Sequence, residues 1–146
     1  MKLYTSLENL DNIPDGQTRK LINDNQILWG PDYNYMGANQ IATLSQKISS
    51  QRNGIVLVWQ AFENGEPKAW DFNFTYIPKY FVTVFPSGGV VCQLSNSSSN
   101  ILGTKYVYVY DDKIQGHAFN STGNTTKDSG IKTTNNHWVL TYVLGV

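Results

Sequence analysis

Charge is scarce in this 146-residue sequence: charged residues make up 15% of it, against roughly 25% in ordinary soluble domains. Asn, Ser, Thr and Gly supply the polarity instead. Eleven basic and eleven acidic residues cancel to a formal net charge of zero, so no long-range field draws in nucleic acid or an anionic membrane. Neither is expected as a partner. A low charge density also removes the repulsion that keeps small proteins apart, which favours self-association.

Cysteine is almost missing too. The single Cys92 cannot form an intramolecular disulfide, and its apolar context, Gly89-Val90-Val91-Cys92-Gln93-Leu94, reads as a buried structural thiol rather than a nucleophile. Long apolar runs are absent: nothing approaches the roughly 20 residues that span a bilayer, and Met1 to Gly16 has no core of signal-peptide length. The expectation is a chain made in a cytoplasm without oxidative export. On that expectation the Asn-x-Ser/Thr matches at Asn73, Asn96, Asn120 and Asn124 are accidents of an Asn- and Thr-rich composition.

Catalytic chemistry is thin as well. The two histidines, His117 and His137, stand near no nucleophile motif, which argues against a Ser/His/Asp triad. Glu63, Glu66, Asp71 and Asp111 lie in or near turns, where acidic residues are ordinary, and no pair among them stands out for glycoside hydrolysis. Asp111-Asp112 lacks calcium-loop spacing, one cysteine with two scattered histidines makes no zinc site, and Gly88-Gly89 has no lysine or helix after it to hold phosphate. No enzyme, metal or cofactor is expected.

What the sequence does have is strands and rings. From Gly54 to Tyr80, two apolar and aromatic runs flank Glu63-Asn64-Gly65-Glu66, where Asn-Gly accepts the positive φ angles of a two-residue hairpin turn. Further strands are expected at Tyr80 to Phe85, Val90 to Leu94, Lys105 to Tyr110, Lys113 to Phe119 and His137 to Val146, with Gly37 to Ser50 favoured as strand over helix. In Lys105 to Tyr110 the three tyrosines face one way and Lys105, Val107 and Val109 the other. Trp138, Leu140 and Tyr142 are likewise expected to oppose Val139, Thr141 and Val143. Short runs broken by turns predict an all-β fold, an antiparallel sandwich of jelly-roll-like type over residues 33–146. Residues 1–32, with their charged clusters and the Ile13-Pro14-Asp15-Gly16 reversal, read as an arm or connector, or as a strand pair of the main fold.

One domain's length is enough for a single core. Aromatics are 13% of the chain, with four Trp, nine Tyr and six Phe. Rings stack on the C–H faces of sugars while Asn, Gln and Ser bond their hydroxyls, so this composition suits saccharide binding. Sandwich cores and subunit contacts use the same rings. Trp29, Tyr33 and Tyr35, in a Gly/Pro/Asn-rich context, are the hardest to explain as core, and Trp70 joins them as a candidate sugar-contact or interface residue.

Several of these segments also resemble a known family. Leu28-Trp29-Gly30, Tyr33-Asn34-Tyr35-Met36, Asn53 to Trp59, Asp71-Phe72-Asn73-Phe74, Ile77-Pro78-Lys79-Tyr80, Gly103 to Val109 and Val139 to Val146 are similar to the C-terminal domains of tail-fibre, baseplate and other virion appendage proteins from phages of Gram-positive bacteria. Asn12 to Leu21 resembles the connector before such domains. The resemblance implies a non-enzymatic structural protein of the virion: a receptor-binding domain, trimeric, joined to other virion proteins by its N-terminal region and presenting loops to host cell-wall polysaccharide. A capsid, collar or head-fibre decoration protein without a host ligand is the alternative, and an appendage-borne wall hydrolase ranks last.

Overall fold

The computed structural model describes residues 26–126 and 129–146. The Ile13-Pro14-Asp15-Gly16 reversal and most of the expected connector lie outside them. The strands are β1 (Ile27–Trp29), β2 (Ile41–Thr43), β3 (Gly54–Glu63), β4 (Glu66–Pro67), β5 (Asn73–Pro78), β6 (Gly88–Ser95), β7 (Ile101–Val109), β8 (Lys113–Gln115), β9 (Thr125–Thr126), β10 (Lys132–Thr133) and β11 (Trp138–Gly145). Among the described residues one helical turn, α1 (Phe81–Val84), and two 3-10 turns, Ile48–Ser50 and Ala118–Ser121, join them. The chain is all-β, as expected.

Two sheets divide the strands. In the first, β1 pairs with β11, β11 with β3, and β3 with both β5 and β4; in the second, β2 pairs with β8 and β8 with β7, which also carries β6 and β10. The Asn64-Gly65 hairpin forms as read, with both φ angles positive (55° and 79°) and Glu63 opposite Glu66. Between the sheets lies one core, to which the first contributes Leu28, Ile55, Leu57, Trp59, Ile77, Leu140 and Val143 and the second Ala42, Cys92, Leu94, Val107, Val109 and Ile114. Strand alternation explains the split: odd positions of β3 point inward, while Val56, Gln60 and Phe62 are only partly covered on the far side.

The first and last described strands bind each other. Ile27–Trp29, at the end of the segment read as a connector or as a strand pair of the main fold, is an edge strand paired to β11, and Leu28 is buried. Two expectations are overturned. Tyr80 to Phe85 is not a strand: the amides of Val84 and Phe85 donate back to the carbonyls of Tyr80 and Phe81 (3.1 and 2.8 Å). This stretch must cross from β5 in one sheet to β6 in the other, with Val82 of α1 buried and Phe81 packed against the core, so tertiary geometry overrides β-propensity. In β11 the simple alternation breaks at a bulge between Leu140 and Tyr142. The extra residue, Thr141, shifts the phase, so that Trp138, Leu140 and Val143 join the core and Tyr142 does not.

Two asparagines complete the second sheet. β6 runs along one edge of β7, whereas β10 and β8 hold only the two ends of the other edge. In the gap, the Thr104 amide donates to Asn135 Oδ1 (2.8 Å), and Asn120 takes both backbone groups of Tyr106: its Oδ1 accepts from the amide (2.7 Å) and its Nδ2 donates to the carbonyl (2.8 Å). A carboxamide has the donor and acceptor of a peptide unit, so it stands in for a missing strand.

Candidate functional site

The four aromatics singled out by sequence separate in the structure. Tyr33 and Trp70 are each about half exposed (48% and 49%), Tyr35 is partly buried, and Trp29 packs against the core. Phe62, on the outer face of β3, organises two of them: the Tyr33 ring lies 5.4 Å from it, tilted by 35°, and the Tyr35 ring meets it edge-on at 5.3 Å. Trp70 belongs to the same end of the sandwich, since its carbonyl accepts from the Ala61 amide at 3.4 Å, and Lys68 Nζ lies 5.9 Å from the centre of its ring.

Backbone pairing fixes the segment that carries Tyr33. After β1 the chain continues along β11, with the Asp32 amide donating to Thr141 (3.4 Å) and Asn34 exchanging two bonds with Leu140 (3.2 and 2.9 Å). Gly30, at φ +105°, brings the chain so close that a Cβ there would sit 2.4 Å from the Thr141 carbonyl oxygen. Only glycine meets both demands.

The result is a cleft of about 390 Å³ lined by Pro31, Asp32, Tyr33, Gln60, Pro67, Thr141 and Tyr142. Its polar equipment is short but varied. Asp32 Oδ1 accepts from the Tyr33 amide (2.8 Å) and so shapes the loop, while Gln60 spends its Nε2 on the Lys68 carbonyl (3.1 Å). That bond orients the Gln60 side chain and leaves its carbonyl oxygen as an acceptor. The Thr141 hydroxyl is shielded from solvent beneath the cleft and has no hydrogen-bond partner among the described residues. Rings, an amide, a carboxylate and hydroxyls in one shallow cleft are what a neutral sugar needs: C–H faces stack while hydroxyls find donors and acceptors.

Beneath this end of the molecule lies a group that sequence reasoning did not single out as functional. Lys105 is fully buried, and its Nζ donates to the carbonyls of Tyr35 (3.1 Å) and Asn120 (2.9 Å). The Tyr35 and Trp59 rings flank it at 5.4 and 5.7 Å. Burial depresses its pKa to about 7, although Cys92, its neighbour across β6 and β7, acts the other way. A neutral amine has two N–H groups, matching two carbonyls without remainder. Burial in turn pushes the Cys92 thiol up, opposed by its hydrogen bond to Thr75 and by Lys105. Cys92 is thus the buried thiol that its context implied. Burial also raises the Tyr35 hydroxyl.

The histidines sit apart. His137 Nε2 is 3.4 Å from Asp71 Oδ2, beside Trp138, whose Nε1 donates to the Asp71 carbonyl (2.9 Å); this knot ties the loop after Trp70 to the start of β11. His117 caps the 3-10 turn, its Nδ1 accepting from the Phe119 amide (3.1 Å), with its ring against Tyr106 and Tyr108. Among the described residues, no cluster of three or more His, Cys, Asp or Glu could hold a metal ion. No protein-family model, curated protein or solved structure matches the chain.

Proposed function

We propose that this protein is a non-enzymatic virion appendage module that binds a neutral saccharide polymer on the host surface through the Tyr33 cleft. The observation that carries the reading is the half-exposed Tyr33 ring, held on Phe62 between Asp32 and Gln60. A ring already packed from behind loses little freedom when a sugar covers its front. Asp32 is the one carboxylate lining the cleft, so the paired carboxylates of a glycosidase have no counterpart in that lining. The pairing of β1 with β11 and of β2 with β8 supports a jelly-roll-like sandwich, in which the first and last strands are neighbours. By the sequence resemblance, the N-terminal arm joins other virion proteins and three copies assemble.

The test is adsorption of the purified protein to intact host cells, comparing wild type with Tyr33→Ala and Trp70→Ala. Loss of adsorption with fold and assembly unchanged supports the reading. Adsorption that neither substitution alters would remove the cleft from it. A decoration protein without a host ligand is the second reading, and one observation favours it: the outer face of the first sheet is strongly apolar.

A further inference from the structure

The first sheet covers its inner face with the core, and among the described residues nothing covers its outer face. Ile27, Val58, Phe72, Phe74, Tyr142 and Leu144 line a shallow groove of about 420 Å³ across β1, β11, β3 and β5, with no acidic or basic side chain among them. Ile27, Phe72 and Phe74 are 50%, 44% and 67% exposed, and Tyr76, next on the outer side of β5, is 54% exposed. Phe72 and Phe74 lie almost parallel, 6.3 Å apart.

Strand alternation makes this face deliberate. On β5 the inward positions are Asn73, Thr75 and Ile77, while the outward ones are Phe74, Tyr76 and Pro78, none of them charged. A free sheet face in water is normally polar. With aromatic side chains of about 200 Å² each, these four residues alone expose roughly 400 Å². That is within the range of a monomer's largest apolar patch, often a functional one, and about half of one partner's share of a standard interface.

The chemistry of the face selects its occupant. A saccharide or a charged polymer would lose hydrogen bonds to water there and find no polar lining in return. A second copy of this chain brings the same uncharged, apolar surface, and its net charge of zero opposes the approach with no long-range repulsion.

We propose that two copies pack face to face through this surface, with Phe72 and Phe74 at its centre. Such a contact is isologous and two-fold, so it joins copies in pairs. The three-fold assembly implied by the sequence resemblance would need a different surface. The pairing does not depend on sugar binding, since the Tyr33 cleft and this face can fail independently.

Sedimentation velocity of the full chain over the micromolar range tests it. Wild type is expected to sediment as a species with an even number of 16.4 kDa chains. Phe74→Glu, with Phe74→Ser as the milder variant should the first not fold, should weaken association at least tenfold. Val91→Glu, at a 57% exposed position on β6 in the other sheet, should not. A wild-type monomer at every concentration overturns the proposal, and so does an assembly that survives a folded Phe74 variant.

Discussion

Asn120 is bound to Tyr106 as one strand is bound to the next, its carboxamide taking the amide at 2.7 Å and the carbonyl at 2.8 Å. The same side chain donates to the Met36 carbonyl (2.6 Å), and its own carbonyl receives Lys105 Nζ (2.9 Å). One residue therefore ties the free edge of β7, the segment after Tyr35 and the buried amine into a single polar network. With Nδ2 engaged twice and the residue fully buried, this glycosylation match has no room for a glycan.

Replacing Asn120 with Ala leaves the Tyr106 amide and carbonyl without these partners, while the Met36 carbonyl keeps the His117 amide (2.9 Å). An unsatisfied buried group costs about 1–3 kcal/mol, and neighbouring losses overlap. The expected destabilisation is about 2–4 kcal/mol in urea unfolding, with the signature of a loosened sheet edge: faster hydrogen exchange at Tyr106 than at Val107, whose backbone faces β6.

Lys105 makes a second prediction, on pH. Its folded pKa of about 7 lies below the ordinary 10.5, so above pH 7 the unfolded chain binds the proton that the folded chain releases. Stability then rises with pH, by at most about 1.4 kcal/mol per unit. Below pH 7 both states hold the proton and this contribution is flat. Above about pH 9 the raised Cys92 thiol acts oppositely, because the unfolded thiol ionises first. Unfolding free energies measured from pH 7 to 9 should therefore climb in wild type and lose that slope in Lys105→Met. An unchanged slope in the variant would assign the effect to other groups.

The architecture was legible where local chemistry and burial agree. Asn64-Gly65 specifies its own turn, and the alternation of Lys105 to Tyr110 put Lys105 on the same face as Val107 and Val109, where the structure has it. That the lysine is wholly buried was not legible, since lysines on apolar faces usually carry their charge out to water. The β11 bulge has no local signal, as Thr141 is a good strand residue whose displacement depends on its pairing with β3. Asn120 and Asn135 read as loop polarity because nothing near them announces a vacant strand edge. Of the rings singled out from sequence only Tyr33 lines the cleft, whereas Gln60 and Thr141 enter it only through long-range pairing. Phe62 could have been found: it is out of phase with the buried Trp59, an aromatic on the wrong side of its strand.

That position supplies a third prediction. Phe62→Ala removes the ring behind both Tyr33 and Tyr35 without touching a ligand in the cleft. Aromatic pairs contribute about 0.5–1.5 kcal/mol each beyond area burial, so a stability loss of about 1–3 kcal/mol is expected. If Tyr33 is the sugar platform, adsorption to cells should fall as well, because the ring is no longer held flat. Phe62→Leu, which keeps apolar bulk but not the ring stack, should recover stability more than adsorption. Equal recovery of both would mean that Phe62 merely fills space.

The last prediction separates sugar stacking from attachment by charge. Lys68 lies beside Trp70 and Asp32 beside Tyr33, so a charged wall polymer has a cation and an anion within reach at this end of the sandwich. Attachment through those charges would weaken as salt rises, since at 1 M the screening length falls to about 3 Å. Stacking of sugar C–H groups on Tyr33 gains instead by removing apolar surface from water, a contribution that salt does not screen. Adsorption of wild type to host cells should therefore hold between 0.1 and 1 M sodium chloride, values chosen to span about 10 to 3 Å of screening. Tyr33→Ala should adsorb poorly throughout, and Lys68→Ala should stay close to wild type. Adsorption that collapses in salt, or that depends on Lys68 more than on Tyr33, would assign the cleft to an anionic polymer and remove the neutral-sugar reading.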